Sequence, residues 1–210
     1  MKRNNDIKLD RSVIEFDYVY LSSLLSGYRY SRNKITRMLR SGTIIRIKKG
    51  VYVLSPKLSD TPYSKEILAN LIYGPSYISL DYALYYYGLI PEKVETVTSV
   101  TMKRNKRFDT VAGVFEYRFI NQQKYNKGFV VAEVSRNRSF LIASPEKALA
   151  DKLLFGPQFS STRQLKDHLL HDLRMEREDL GKLRLGEIKE LKASHGVNAG
   201  HLYSLVKELK

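Results

Sequence analysis

The chain has no cysteine, which excludes disulfides, thiolate metal sites and a cysteine nucleophile. Histidine is scarce, four in 210 residues, and none belongs to an H-E-x-x-H motif. His168 and His171, three apart on an expected helix, read as a surface pair, with His195 and His201 further on. No metal and no cofactor is expected. Nowhere does an apolar run reach the ~18 residues that suggest a membrane-spanning helix, and the first residues, MKRNNDIKLDRSVIEF, hold no apolar segment after their charges. A cytoplasmic protein with no membrane partner is therefore expected. Internal repeats and low-complexity tracts are missing, as are Walker A, G-x-G-x-x-G and the paired-aspartate signature of nucleotidyltransferases.

The most telling absence is local. Between Tyr18 and Ser59 there is no acidic residue, against nine basic ones: Arg29, Arg32, Lys34, Arg37, Arg40, Arg46, Lys48, Lys49 and Lys57. The formal charge of the whole chain is +14, and residues 1–60 hold 13 Lys and Arg against five Asp and Glu. A positive field concentrated on one short segment attracts polyanions.

Periodicity and punctuation give the expected elements. A short helix is expected over 9–14. Asp17 then caps an apolar stretch that ends at Ser26-Gly27, and Ser31 caps a second helix over 32–41, with Ile35, Met38 and Leu39 on one face and Gly42 as its stop. The β-branched run 43–48, the turn Lys49-Gly50 and Val51 to Leu54 read as a two-stranded wing. Residues 55–62, with two prolines, read as a linker. Helices are expected over 63–73 and 80–87, and period-two patterns over 94–102, 108–111, 114–120, 129–134 and 139–142 give four or five strands, antiparallel being the simplest arrangement. Ser144-Pro145-Glu146 opens a strong helix, and two to four more follow Arg163. The expected fold is α+β. A winged helix-turn-helix occupies 1–60; 61–210 form a larger domain, with a mixed or antiparallel sheet flanked by helices and a helical C-terminus.

On the helix over 32–41, side chains advance ~100° per residue. With Ile35, Met38 and Leu39 inward, Asn33, Arg37 and Arg40 face outward, flanked by Thr36 and Lys34. Arginine suits guanine through a bidentate contact, asparagine suits adenine, and threonine reads a base edge or a thymine methyl. Arg29, Tyr30, Ser31 and Arg32 lie at the end of the helix where free N–H groups bind phosphate. Arg46, Lys48 and Lys49 on the wing then reach a neighbouring phosphate or the minor groove. Double-stranded DNA is the expected partner, since neither an aromatic RNP-like strand motif nor a GXXG loop is present.

The order of these segments carries a resemblance. GTIIRIKKGVYVL, YISLDYALYYYGLIPE, VTSVT, KRNKRFD, GVFEYRFI and IASPEKALADKLLF together resemble the AbiEi family of type IV antitoxins and related abortive-infection regulators, over roughly residues 15–156. The resemblance implies a protein that represses its own operon through its N-terminal domain. It also implies that the C-terminal domain counters a nucleotidyltransferase-like toxin encoded beside it. The alternative is a winged-helix transcriptional regulator with no toxin partner.

Other constellations are weaker. Lys103, Arg104, Lys106 and Arg107 form a second basic patch, expected at a hairpin tip, where it extends the DNA footprint, contacts an acidic toxin or its nucleic-acid substrate, or is a solvated turn. Tyr77, Tyr82, Tyr85, Tyr86 and Tyr87 read as amphipathic core residues with hydroxyls reaching solvent, in preference to a stacking platform. Ser144 to Lys147 matches S-x-x-K, but the S-D-N and K-T-G partners are absent and a proline after serine suits a helix start. An enzyme is not expected.

Overall fold

The computed structural model describes residues 10–210. Of the segment expected as an opening helix, residue 9 lies outside the described residues. Asp10 to Ile14 form a turn, with the Asp10 carboxylate accepting from Ser12 N and Oγ, and lead into β1 (Glu15–Asp17). Then come α1 (Tyr18–Leu24), α2 (Ser31–Arg40), β2 (Ile44–Lys48) and β3 (Val51–Leu54). Asp17 caps α1 by accepting from Tyr20 N at 2.8 Å. The three strands form an antiparallel sheet ordered β1-β3-β2.

The rest of the chain alternates helices with a second sheet: α3 (Lys65–Ile72), β4 (Ser76–Ile78), α4 (Leu80–Tyr86), β5 (Val97–Thr101), β6 (Lys106–Thr110), β7 (Gly113–Phe119), α5 (Gln122–Tyr125), β8 (Phe129–Ser135) and β9 (Arg138–Ala143). Helices close it: α6 (Pro145–Phe155), α7 (Thr162–Asp167), which continues into a wider-wound turn over His168–Asp172, α8 (Arg177–Lys182), α9 (Leu185–His195) and α10 (Val197–Leu209). The fold is α+β.

The second sheet is mixed, ordered β6-β7-β5-β4-β9-β8. Of the two arrangements expected, mixed or antiparallel, the mixed one occurs, with β4 paired to β9 and β5 to β7 in parallel. The chain leaves β5, arches across to the edge to form β6, and returns as β7 in the gap. Consequently the basic segment 102–105 is a crossover and not a hairpin tip. The β6–β7 hairpin turns instead at Val111-Ala112.

Two hydrophobic cores share the small sheet. Ile14, Phe16, Leu21, Leu25, Ile35, Met38, Ile44, Tyr52 and Leu54 pack together. Ile47, Val51 and Val53 belong to the larger core under the six-stranded sheet. Alternate residues of β3 thus point to opposite cores, and all four are buried. A buried ion pair adds to the seam: Arg138 Nη2 lies 2.5 Å from Glu15 Oε1 and donates to the Pro62 carbonyl at 3.0 Å. The same Glu15 oxygen accepts from Ser64 N, which begins α3. Residues 55–62 therefore run over a packed contact between the two halves.

Candidate nucleic-acid interface

Helix α2 is amphipathic along its whole length. Ile35 and Met38 are buried and Leu39 is half-buried, while Arg32, Asn33, Thr36, Arg37 and Arg40 are exposed. The expected outward stripe Asn33, Arg37, Arg40 is in place. No ion pair engages a basic residue between Tyr18 and Ser59 among the described residues, as the lack of local acids dictates. Rings lie beside two of these cations: Arg29 is 5.5 Å from the Tyr30 ring centroid and Lys34 5.7 Å from that of Tyr28. The Ser22 hydroxyl, and after it the Arg32 guanidinium, hold the exposed Tyr18 phenol below its usual value.

Three details differ from expectation. Ser31 is the first residue of α2 and not its cap; the cap position is Tyr30, and no side chain satisfies the first N–H groups. Thr36 Oγ1 donates to the Arg32 carbonyl at 3.1 Å, which leaves chiefly its methyl for outside contact. Lys48 faces the wrong way for a nucleic-acid contact, since its Nζ donates to the Ile72 carbonyl at 2.7 Å and sits 4.4 Å from the Phe108 ring centroid. The reason is an irregularity in β2. Arg46 pairs with Tyr52 but Lys48 with Val51, so the two lysine and arginine side chains leave opposite faces of the sheet. Burial, then Lys103 and Lys106, lower the Lys48 ammonium. Arg46 on β2 and Lys49 at the turn stay exposed.

The surface left is Arg29, Arg32, Asn33, Arg37, Arg40, Arg46 and Lys49, with Tyr30 exposed beside it and Ser31 and Lys34 partly covered. No family model matches the chain, and no curated protein matches it.

The second basic patch divides. Arg107 is engaged by Asp109 at 3.2 Å and Glu116 at 2.6 Å, and Lys103 Nζ donates to the Gly74 carbonyl. Arg104 and Lys106 have no ion pair among the described residues. Of the tyrosines read as core residues, Tyr77 and Tyr82 are buried, Tyr87 is half-buried and Tyr85 and Tyr86 are exposed, outside the core; the hydroxyls of the first three are engaged within the protein and not by solvent. Tyr77 donates to Asp151, Tyr82 to Glu66 and the half-buried Tyr87 to the Ala143 carbonyl. Burial drives all three phenols up, that of Tyr87 to about 12.

Sequence reasoning missed one polar cluster. Lys147, Asp151 and His195 are buried together: Lys147 Nζ meets Asp151 Oδ1, His195 Nε2 lies 2.9 Å from Lys147 Nζ and 3.1 Å from Asp151 Oδ1, and Ser79 Oγ donates to Asp151 Oδ2 at 2.8 Å. Ser144 Oγ accepts from Lys147 N at 3.2 Å as a helix cap, so the S-x-x-K serine and ammonium point to different partners. His195 was read only as a distant histidine. The available signal was Lys147 and Asp151 one turn apart on a helix whose other charged residues are Glu146 and Lys152. His168 Nδ1 meets Asp172 Oδ2 at 2.6 Å and His201 Nδ1 meets Thr162 Oγ1 at 3.2 Å. Among the described residues no group of three or more His, Asp or Glu side chains is arranged to hold a metal.

Proposed function

We propose that residues 15–54 act as a winged helix-turn-helix that binds double-stranded DNA, with α2 in the major groove and the β2–β3 hairpin as the wing. One observation carries the reading. A helix presents Asn33, Arg37 and Arg40 to solvent, beside a hairpin with Arg46 and Lys49 exposed, and among the described residues none of these cations has an ion pair. Such a surface offers bidentate base contacts from the helix and phosphate contacts from its neighbours. Lys48 drops out of the DNA-contacting set, while Arg29 and the uncapped N-terminus of α2 remain in it as phosphate binders.

The regulatory half of the proposal rests on the resemblance: the chain represses its own operon and counters a nucleotidyltransferase-like toxin encoded beside it. Two experiments test the two halves. Binding to the duplex upstream of its own gene should weaken by about 1,000-fold or more between 50 and 200 mM salt, the decline expected for six or more phosphate contacts; a salt-insensitive affinity overturns the DNA reading. Co-expression with the neighbouring gene tests the antitoxin. Because Ile47, Val51 and Val53 belong to the larger core, truncation at residue 61 strips that core, so full-length protein carrying Arg37→Ala and Arg40→Ala is the proper probe. Rescue of growth with repression lost supports separate functions on one chain; no rescue by native protein removes the antitoxin role.

A further inference from the structure

We propose that a groove at the carboxyl ends of β5 and β7 binds single-stranded nucleic acid, with Phe119 and Phe155 stacking on unpaired bases and Arg104 and Arg118 holding phosphates. The groove has a volume of about 850 Å³, and its lining includes Tyr73, Met102, Arg104, Arg118, Phe119 and Phe155. Topology creates it. The parallel pairing of β5 with β7 brings Thr101 beside Phe119, and the crossover to β6 arches over that end. Asn105 Oδ1 accepts from Phe119 N at 2.7 Å, which pins the arch to the end of the strand. The far wall is the last residue of α6, Phe155.

Two features of the groove need an occupant. Phe119 is 50% exposed and Phe155 44% exposed, and neither ring contacts another aromatic ring among the described residues. A lone exposed apolar side chain is ordinary, but two phenyl rings and Met102 in one recess form a patch. Around that patch the charge has one sign. Arg104 and Arg118 are exposed and have neither ion pair nor hydrogen bond among the described residues, and Lys103 is fixed in the wall 5.2 Å from the Tyr73 ring. Flat apolar faces ringed by free guanidinium groups match a ligand that offers π-faces and phosphates at once, which is an unpaired oligonucleotide. A duplex hides its base faces in the stack and uses only the cations. An acidic peptide likewise leaves the rings without partners.

The proposal stands apart from the DNA reading of α2, and its test keeps them separate. Full-length protein carrying Arg37→Ala and Arg40→Ala is titrated into labelled oligo-uridine and oligo-thymidine of about 12 nucleotides, within the usual single-strand site size. A duplex of equal length and a polyglutamate peptide serve as competitors. Single strands should bind, and Phe119→Leu with Phe155→Leu, which keep apolar bulk but remove the rings, should weaken them about tenfold or more. Arg104→Ala with Arg118→Ala should lower the affinity and flatten its salt dependence. Because all four side chains are exposed, an unchanged thermal melt shows that each variant is folded. Unaltered binding by the leucine pair overturns the proposal. So does competition by the duplex or by polyglutamate as strong as that by the unlabelled single strand.

Discussion

The basic residues of α2 and those of segment 103–107 are comparably dense in sequence, yet the fold treats them differently. Arg37 and Arg40 project from a helix with no ion-pair partner among the described residues. Arg107 is clamped between Asp109 and Glu116, and Lys103 is spent on a backbone carbonyl. Deeper in the same half, Lys147 and Asp151 are wholly buried against each other. Charge density along the chain therefore does not measure available charge. Availability is lost where an acid or a backbone carbonyl lies within reach, as at Arg107, Lys48 and Lys103, and the acid-free interval from Tyr18 to Ser59 is a better signal than the count of lysines and arginines. The contrast can be stated as a rule to test: the acid-free charges of α2 and its hairpin serve duplex binding, and charges that are buried or paired with acids serve stability.

The largest effect should come from the buried cluster. Asp151→Ala leaves the Lys147 ammonium without its carboxylate in a site closed to water, and the expected cost is about 3–5 kcal/mol of unfolding free energy by urea titration. An unmoved midpoint would break the rule at its strongest point. Next, Arg37→Ala with Arg40→Ala should weaken binding to the upstream duplex by about 100-fold or more, at 1–3 kcal/mol for each good base contact, while the melting temperature stays within about 2 °C. Lys103→Ala with Arg104→Ala should lower duplex affinity much less; equal losses from the two pairs would erase the distinction between the halves. Third is the seam. Glu15→Gln keeps an acceptor for Ser64 N but removes the charge facing Arg138, for an expected loss of about 2 kcal/mol. Since both cores share one sheet, unfolding should remain a single transition, and a biphasic curve would show that the halves unfold separately.

Local pattern made the elements readable and left their neighbours hidden. The helix expected over 32–41 occurs at Ser31–Arg40, and β5 to β9 fall close to the period-two stretches, because burial of one face imprints its period on the sequence. Strand β4 escaped notice: Ser76–Ile78 is three residues, too short to show a period, and buried on both faces. The parallel pairing of β5 with β7 is a non-local choice that no single segment encodes. At the candidate interface, Asn33, Arg37 and Arg40 were legible from helical spacing, whereas the inward turn of Lys48 follows from a one-residue irregularity in β2 that spacing does not reveal. The partnership of His195 with Lys147 spans 48 positions. The groove was equally concealed, because Phe119 and Phe155 meet only after the sheet has formed.

The smallest effect concerns tyrosine, and it carries the contrast between the halves to high pH. Tyr18 in the N-terminal half is exposed and its phenol is lowered, whereas burial, reinforced by its neighbour Tyr86, holds the Tyr87 phenol up at about 12. Below about pH 10, Tyr87 is neutral in both folded and unfolded chains, and its contribution to stability is complete. Between about 10 and 12 the unfolded chain gives up the proton while the folded chain keeps it. The unfolded state then binds fewer protons, so stability falls as pH rises, and the contribution is gone above the folded value. Tyr87→Phe deletes the hydroxyl that donates to the Ala143 carbonyl at 2.9 Å, which lowers stability near pH 8 by about 1 kcal/mol. It also deletes this titration, so melting temperatures of the native chain and the variant should converge between pH 8 and about 11. Parallel curves would mean that the Tyr87 phenol ionises as easily in the folded chain as in the unfolded one, and that its burial in the larger half is not the cause of its stability.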